Sequence, residues 1–303
     1  MPSDAFLLVS YGSPECRDDV IPFLSNLFHG RDVSPARLEE VVKKAAAQYD
    51  EAALQTGQFS PLSQQCRLLV DRLRQRNRLC GPVYWGNLFW HPLLTDTLTE
   101  MQERGIRKAT VFITSPFESE FSRKRYIDAL ENARNKIEIR LLPAFGNHPL
   151  YYRAVADRIL EAASRITPHT RILFTAHSLP LSDQGTRQYV SQLNKAASEL
   201  LPASLKTLPW ELVFQSRGGK PSDPWLEPEI LARIRQLAEN RDQTGQPLSL
   251  LIVPVGFLLE NKETVYDLDI QVLPLCDELR IPAVRVPTAG SLPSILEMIE
   301  QMG

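Results

Sequence analysis

The chain has 303 residues, enough for about two compact domains at the usual ~100–200 residues each. Apolar types make up 43% and charged types 23%, a balance that excludes a disordered chain and fits an ordinary globular protein. Lys plus Arg (34) nearly equal Asp plus Glu (36), for a net charge of −2, so no global basic field exists to hold nucleic acid or an anionic membrane.

At the start, Met1-Pro2-Ser3-Asp4 runs into the apolar Ala5–Val9 without a basic stretch or a cleavage site of small residues, so no signal peptide is expected. The longest apolar stretch, Leu250–Leu259, contains Pro254 and Gly256 and falls well short of the ~20 residues a spanning helix needs. No integral membrane association is expected, and a cytoplasmic location follows. Cys16, Cys66, Cys80 and Cys276 show no C-x-x-C spacing, which argues for reduced packing residues rather than disulfides, zinc or an iron–sulfur cluster.

The predicted elements begin with an apolar strand that ends Val9-Ser10-Tyr11-Gly12-Ser13-Pro14. A helix follows over Ser63–Arg74, with Leu69, Val70 and Leu73 at helical spacing. Pro82–Asn87 is a second strand, Pro92–Arg104 a helix with Leu94, Leu98 and Met101 inward, and Ala109–Thr114 a third strand. Arg140-Leu141-Leu142-Pro143, followed by Gly146 and Pro149, is the fourth. The order then recurs. Phe6–Pro14 aligns without a gap on Ile172–Pro180, which sets Tyr11 against His177. Pro82–Asn87 pairs with Leu212–Arg217, and Ala109–Thr114 with Ser249–Pro254. Arg140–Pro143 with its Gly and Pro matches Val284–Pro287 with Gly290 and Pro293.

Short Val/Ile/Leu/Phe runs without strict alternation are strands buried on both faces of a parallel sheet. The expected fold is therefore α/β: two duplicated Rossmann-like domains, 1–150 and 151–303, each a four-stranded parallel sheet flanked by helices, joined near residues 145–168 around a central cleft. Ligands in such sheets bind outside the carboxyl ends of the strands, so those ends carry the candidate residues.

Tyr11 and His177 stand at the ends of the first strand of each half. A lone strand-end histidine is commonly satisfied by backbone, and His29, His91, His148 and His169 sit in turn-like sequence that reads as surface. His177 differs because carboxylates follow a neighbouring strand: Glu260, Glu263 and Asp267 at i, i+3 and i+7 would share one helix face. That row reads either as a solvated acidic face or as the partner of the imidazole, and such a pair holds a divalent cation or removes protons. Other templates fail. No G-x-G-x-x-G follows a strand, Gly218-Gly219-Lys220 is followed by Pro221 where a phosphate loop needs Ser or Thr, and no G-x-S-x-G occurs. Arg123-Lys124-Arg125 is a basic cluster that reads as solvated surface or, beside a cleft, as a partner for ligand carboxylates.

Six segments together resemble the ferrochelatases, enzymes that insert ferrous iron into a porphyrin in haem synthesis. They are Leu7–Glu15, Ser60-Pro61-Leu62, Tyr84–Asn87, Phe174–Pro180, Phe214–Arg217 with Pro224–Pro228, and Pro254–Phe257 running through Glu263 to Tyr266–Asp269. The resemblance implies a lyase in which His177 and Glu263 bind the incoming iron and accept pyrrole protons. It implies a propionate-holding role for Ser60 and Tyr126, an approach of Tyr11 from the opposite macrocycle face, and a nearby role for Arg31 in an arginine-containing turn. Tyr11, Ser60 and Tyr126 favour coproporphyrin III, with protoporphyrin IX the alternative. Fe2+ enters as substrate and no permanently bound cofactor or iron–sulfur cluster is implied; other haem-pathway enzymes are candidate partners. Departures from the family pattern include Phe28-His29 before Gly30, Asn261 in place of a histidine and Gln271 in place of a glutamate. A non-catalytic haem or metal binder would share the duplicated sheets, and a cobalt or nickel tetrapyrrole chelatase would be expected to show more than one active-site histidine.

Overall fold

A computed structural model describes residues 3–29, 34–57, 59–119, 123–133, 136–182, 185–218 and 223–303. Among the described residues, eight strands form two parallel sheets: β1 (Ala5–Ser10), β2 (Val83–Asn87), β3 (Lys108–Ile113) and β4 (Glu138–Leu141) in the order β2-β1-β3-β4, then β5 (Thr170–His177), β6 (Trp210–Gln215), β7 (Ser249–Val253) and β8 (Ala283–Arg285) in the order β6-β5-β7-β8. The repeat is thus real, down to strand order. Parallel neighbours need crossover helices, supplied in the first half by α3 (Leu62–Arg76), α4 (Leu94–Glu103) and α5 (Arg125–Ala133), and in the second by α7 (Thr186–Glu199) and α8 (Ile230–Thr244). Two further helices, α1 (Val20–Phe28) and α2 (Pro35–Thr56), lie between β1 and α3. Helix α2 starts where Ser34 accepts from the Arg37 amide with Pro35 in the first turn, and stops at Gly57 with φ +71°.

Pairing register corrects two of the four repeat alignments. Phe6 pairs with Val83 and Thr110, whereas Ile172 pairs with Trp210 and Leu251. Asn87 is therefore the equivalent of Phe214, three residues from the alignment expected, and Ala109 that of Leu250, one residue away. The fourth segment keeps its register, since Thr110 pairs with Arg140 as Leu251 pairs with Val284. Continuously buried strands carry no in/out alternation, so nothing in an apolar run marks its phase; the Pro and Gly after β4 and β8 do.

The two halves share one core. Phe6, Leu8 and Phe112 of the first sheet belong to the same packed cluster as Phe174, Phe214 and Leu251 of the second. Helix α6 (Pro149–Glu161) and the last helix, α10 (Pro293–Met302), pack on each other between them. Polar ties reinforce the joint: Arg76 Nη2 donates to Glu300 Oε2 at 2.8 Å, Arg72 Nη1 to the Ser291 carbonyl at 2.7 Å and Arg158 Nε to the Thr288 carbonyl at 3.1 Å.

Two glycines allow the loops at the strand ends their close approach. Gly12 turns the chain after β1 at φ +83°, where a Cβ would also lie 2.9 Å from Asn87 Cβ and from the Trp90 nitrogen. After β7, the Gly256 amide donates to the Thr175 carbonyl at 3.0 Å, and a Cβ there would stand 2.7 Å from both Cα and Cβ of Ala176. Because the obstacle is backbone rather than a flexible tip, Gly256→Ala must move this loop or the end of β5. We expect a loss of about 1–3 kcal/mol in urea unfolding, with the loop that follows β7 as the first segment to gain amide hydrogen exchange.

Candidate active site

His177 is the last residue of β5, opposite Gln215 at the end of β6. Its position is set by a strand buried almost throughout and by two hydrogen bonds: its carbonyl accepts from the Tyr189 hydroxyl at 3.2 Å, and its ring Nδ1 meets the Ser178 carbonyl. A carbonyl only accepts, so Nδ1 carries the proton and Nε2 is the nitrogen left for chemistry. That Nε2 lies 3.4 Å from Glu263 Oε1. The two side chains are 34% and 39% exposed, so an incoming ligand reaches both.

Glu263 is delivered by the loop after β7. Tyr151, from α6, donates its hydroxyl to the Val255 carbonyl at 2.8 Å and anchors the loop from below. Asn261 then caps the next turn: its Oδ1 accepts from the Thr264 amide, and Thr264 Oγ1 accepts from the Asn261 amide, each at 3.0 Å. This is the local work done by the residue that stands where the family pattern has a histidine. A π-helix, Thr264–Val272, follows and passes directly into α9 (Leu273–Glu278); such wide turns are rare and frequent at functional sites.

Charge organises the pair. Burial pulls the His177 imidazole down, but the Glu263 charge and hydrogen bond, the Ser178 carbonyl and Asp267 outweigh it and raise its pKa to about 9. Burial likewise pushes the Glu263 carboxyl up, and His177, with help from Lys262, holds it below the usual value. At neutral pH the resting pair is imidazolium and carboxylate. Asp267 behaves oppositely: burial raises it, Ser216 lowers it through a hydrogen bond, and the Glu263 charge raises it again. Its Oδ2 accepts from Ser216 Oγ and, at 3.4 Å, from Gln215 Nε2, which also reaches the Glu263 carbonyl at 3.2 Å. Ser216 holds a left-handed φ of 61°, the strained geometry that strand-end loops at functional sites use.

The acidic row of Glu260, Glu263 and Asp267 does not form. Glu260 precedes the helix and is buried, its carboxylate gripped by Arg285 Nη1 at 2.7 Å and Nη2, by the Thr288 amide at 2.7 Å and by Thr264 Oγ1 at 2.7 Å. Helical spacing fails because the helix begins only after Asn261. Glu260 is thus a structural anchor.

The remaining expected residues fall as follows. Tyr11, just past β1, is half-buried with its ring 4.7 Å from Phe89 and 6.4 Å from Phe23. Ser60 is buried and donates to Ser13 Oγ at 2.8 Å, beside Tyr11 in sequence. Tyr126, on α5, is buried, hydrogen-bonded to Thr114 and near enough to Tyr11 to feel its charge. Arg31 lies outside the described residues. His29, His91 and His169 are exposed, but His148 is half-buried and caps α6, its Nδ1 accepting from the Leu150 amide at 3.2 Å. All four cysteines are free, Cys66 and Cys276 buried and Cys16 and Cys80 exposed. Among the described residues no three His, Cys, Asp or Glu side chains are arranged to hold a metal ion, so His177 Nε2 and the Glu263 carboxylate are a two-donor set.

Sequence reasoning missed Tyr49, Tyr189, Lys262 and the pair Gln215-Ser216. Tyr49, buried on α2, feels the charges of both Glu263 and Tyr11, and so connects the two halves of the site. Lys262 Nζ donates to Gln48 Oε1 at 2.6 Å and lies 5.9 Å from the Tyr49 ring centre. Both tyrosines read as ordinary core residues, and only the polar end of β6 carried a usable signal.

Comparison with known proteins gives the family. The ferrochelatase profile matches residues 3–303. A ferrochelatase of Rhodopirellula baltica is 36% identical, covering 98% of this chain and 84% of its own. A coproporphyrin III ferrochelatase of Frankia alni is 38% identical over 99% and 79% of the two chains. The chain belongs to the ferrochelatase family. As a ferrochelatase family enzyme it acts in metal insertion into a porphyrin. Among solved structures, a sirohydrochlorin chelatase from Bacillus subtilis subspecies spizizenii in complex with cobalt superposes with a TM-score of 0.55 at 11% identity, covering 98% of this chain and 92% of that one. That likeness bears on the two-domain Rossmann-like fold alone. No helix among the described residues of this ferrochelatase family member is long and apolar enough to cross a membrane.

Two outcomes are expected. The imidazole of His177, followed by NMR, titrates near pH 9 and moves down in Glu263→Gln. An imidazole raised above its unfolded value of about 6.5 adds stability that is full below that pH and is lost as pH rises through about 9. The stability difference between wild type and His177→Ala therefore narrows between neutral pH and pH 9 and beyond. Separately, Glu260→Gln leaves the buried Arg285 guanidinium with Asp269, 3.3 Å from its Nε, as its remaining carboxylate and is expected to cost about 1–3 kcal/mol in denaturant unfolding.

Proposed function

We propose that the protein inserts Fe2+ into coproporphyrin III, with His177 and Glu263 as the groups that receive the metal and take up pyrrole protons. The observation that carries this reading is the 3.4 Å approach of His177 Nε2 to Glu263 Oε1 at the carboxyl end of the second sheet. Tyr11 stands at the matching place in the first.

The reaction replaces two pyrrole N–H protons with one divalent ion. Iron cannot enter a flat ring whose protons occupy the centre, so the ring must bend and its nitrogens must be stripped. Two walls joined by one continuous core resist deformation, and substrate binding energy from the broad apolar face and the propionates can go into bending the macrocycle. Tyr11, Phe23 and Phe89 offer an aromatic surface at the end of the first sheet, and the ionisable pair stands at the equivalent end of the second.

Because the resting pair already holds a proton, the imidazole becomes a base or a ligand only after giving that proton up. Fe2+ does this by competing for Nε2, and the Glu263 carboxylate exchanges its imidazolium partner for the cation, so the local charge rises by one unit as the proton leaves. Asp267, with its raised proton affinity, is suited to take protons from the pair, while Ser216 and Gln215 hold its carboxyl in place. Ser60, Tyr126 and Arg31 are assigned to the propionates. Ser60, bonded to Ser13, is best placed to act through the Tyr11 turn. Coproporphyrin III is preferred because relatives at 34–38% identity bear that name and because Tyr11, Ser60 and Tyr126 match that branch.

The test is loss of the free-base absorbance under anaerobic conditions with Fe2+ and either porphyrin. Turnover of coproporphyrin III with little or none of protoporphyrin IX is expected, and the reverse would overturn the substrate assignment. His177→Ala should lower insertion by at least ~100-fold, the scale of one acid–base group, while fluorescence quenching still reports porphyrin binding. Retained insertion in that variant defeats the assigned role. Tyr11→Phe should alter substrate preference or product release and leave the melting temperature near that of wild type.

A further inference from the structure

The second sheet has another opening, at the amino ends of its strands. Residues leading into β5, β6 and β7, with the later turns of α8, line an open cleft of about 300 Å³. Strand β5 runs from Thr170 to His177, and at ~3.3 Å per residue this opening lies about 23 Å from the imidazole. Its floor is apolar, from Leu237, Leu248 and Pro209, and its charged lining is cationic: Arg171, Arg233 and Arg241, with no carboxylate among the residues that line it.

The three guanidiniums differ in what they have left to give. Arg241 is used up, with Nε and Nη2 on Asp242 Oδ1 at 2.8 and 2.7 Å and Nη1 on the Leu279 carbonyl at 2.9 Å. Arg171 and Arg233 share a single carboxylate: Arg233 Nε donates to Glu211 Oε2 at 2.7 Å and Arg171 Nη1 to Glu211 Oε1 at 3.4 Å. Arg233 Nη1 also donates to Gln236 Oε1 at 3.1 Å. Nε and Nη2 of Arg171 and Nη2 of Arg233 have no hydrogen-bond partner among the described residues. The side chains are only 32% and 24% exposed, and both line the cleft. Two cations against one anion leave a net positive charge beside an apolar floor.

We propose that this cleft is a second ligand site, for a small organic anion whose phosphoryl or carboxylate head sits on Arg171 and Arg233 and whose apolar body lies on Leu237 and Leu248. Planar guanidinium forks suit either head through paired N–H donors. The volume lies at the low end of small-ligand sites, about 300–1,000 Å³, which excludes a tetrapyrrole. Glu211 is then a built-in competitor for the same donors, so removing its charge strengthens binding.

The test is calorimetric titration of the full chain with phenyl phosphate, benzoate and inorganic phosphate, on wild type, Glu211→Gln and Gln246→Glu. Gln246 is exposed on the cleft rim, so its substitution leaves the fold intact even if Glu211→Gln weakens it. Binding at one site is expected, tighter for the organic anions than for inorganic phosphate. Glu211→Gln should tighten it and Gln246→Glu weaken it, each by roughly fivefold, the scale of one partly exposed charge contact. Preference for phenyl phosphate over benzoate assigns a phosphoryl head, and the reverse a carboxylate head. No heat with either organic anion, equal affinity for inorganic phosphate, or indifference to both substitutions overturns the proposal.

Discussion

An imidazolium and a carboxylate 3.4 Å apart, half out of water, are the constraint to which the second half of the molecule is built. Each group alone would be a poorly solvated charge; together they stabilise each other, and removing either leaves the other uncompensated. Holding them at that separation requires two loops from different strands to arrive in register. The Gly256 contact with β5, the Tyr151 hydroxyl under Val255, the Tyr189 hydroxyl on the His177 carbonyl and the Asn261 cap all act on that single distance. None of these groups is chemically reactive in its setting. Their common effect is to fix the pair before substrate arrives, which is the form electrostatic preorganisation takes in a rigid site.

The duplicated scaffold makes the asymmetry of the site informative. Tyr11 and His177 occupy equivalent positions, yet the layers beneath them differ. Under Tyr11 lies a buried polar network, in which Ser10 Oγ and Trp85 Nε1 both donate to Asn87 Oδ1, the latter at 2.8 Å, and Cys66 Sγ meets Ser10 Oγ at 3.4 Å. The equivalents of Ser10 and Asn87 in the second half are Ala176 and Phe214, both apolar and buried. The polar groups there are displaced to the strand ends and to the π-helix, where Gln215, Ser216 and Asp267 surround the pair. One half thus keeps its polarity inside and shows an aromatic face. The other is apolar at those two positions and shows charge at its strand ends. A flat, largely apolar macrocycle with a cation to receive needs one surface of each kind.

Much of this was legible in the sequence, and the limits have physical causes. The succession of strands along the chain, the twofold repeat and the equivalence of Tyr11 with His177 follow from apolar runs that end in polar turns. Register did not follow where runs lack alternation, as in β2 against β6, because every phase of a fully buried strand looks alike. His177 and Glu263 could be singled out as a strand-end imidazole and a carboxylate near it, but Glu260 could not be separated from Glu263 by spacing. What divides them is Arg285, distant in sequence and adjacent in space, which turns one of two similar carboxylates into a buried anchor. Tyr49 was illegible for a related reason: an inward tyrosine on an amphipathic helix has the pattern of core, and only the packing of α2 against the π-helix gives it a place between Tyr11 and Glu263.

That packing bears on how a site between two domains stays fixed. Domains in one chain usually move relative to each other when their interface is small and polar. Here the joint is a shared hydrophobic core, closed on one side by α6 and α10 and on another by α2, where Gln48 holds Lys262 and Lys262 lies 5.4 Å from the Tyr266 ring centre. Large hinge closure would have to open that core. A scaffold of this kind can impose a shape on a ligand instead of adapting to it, provided that its walls are stiffer than the ligand. A close-packed interior yields little to strain, so one continuous core holds the strand-end surfaces of the two sheets in a fixed relation.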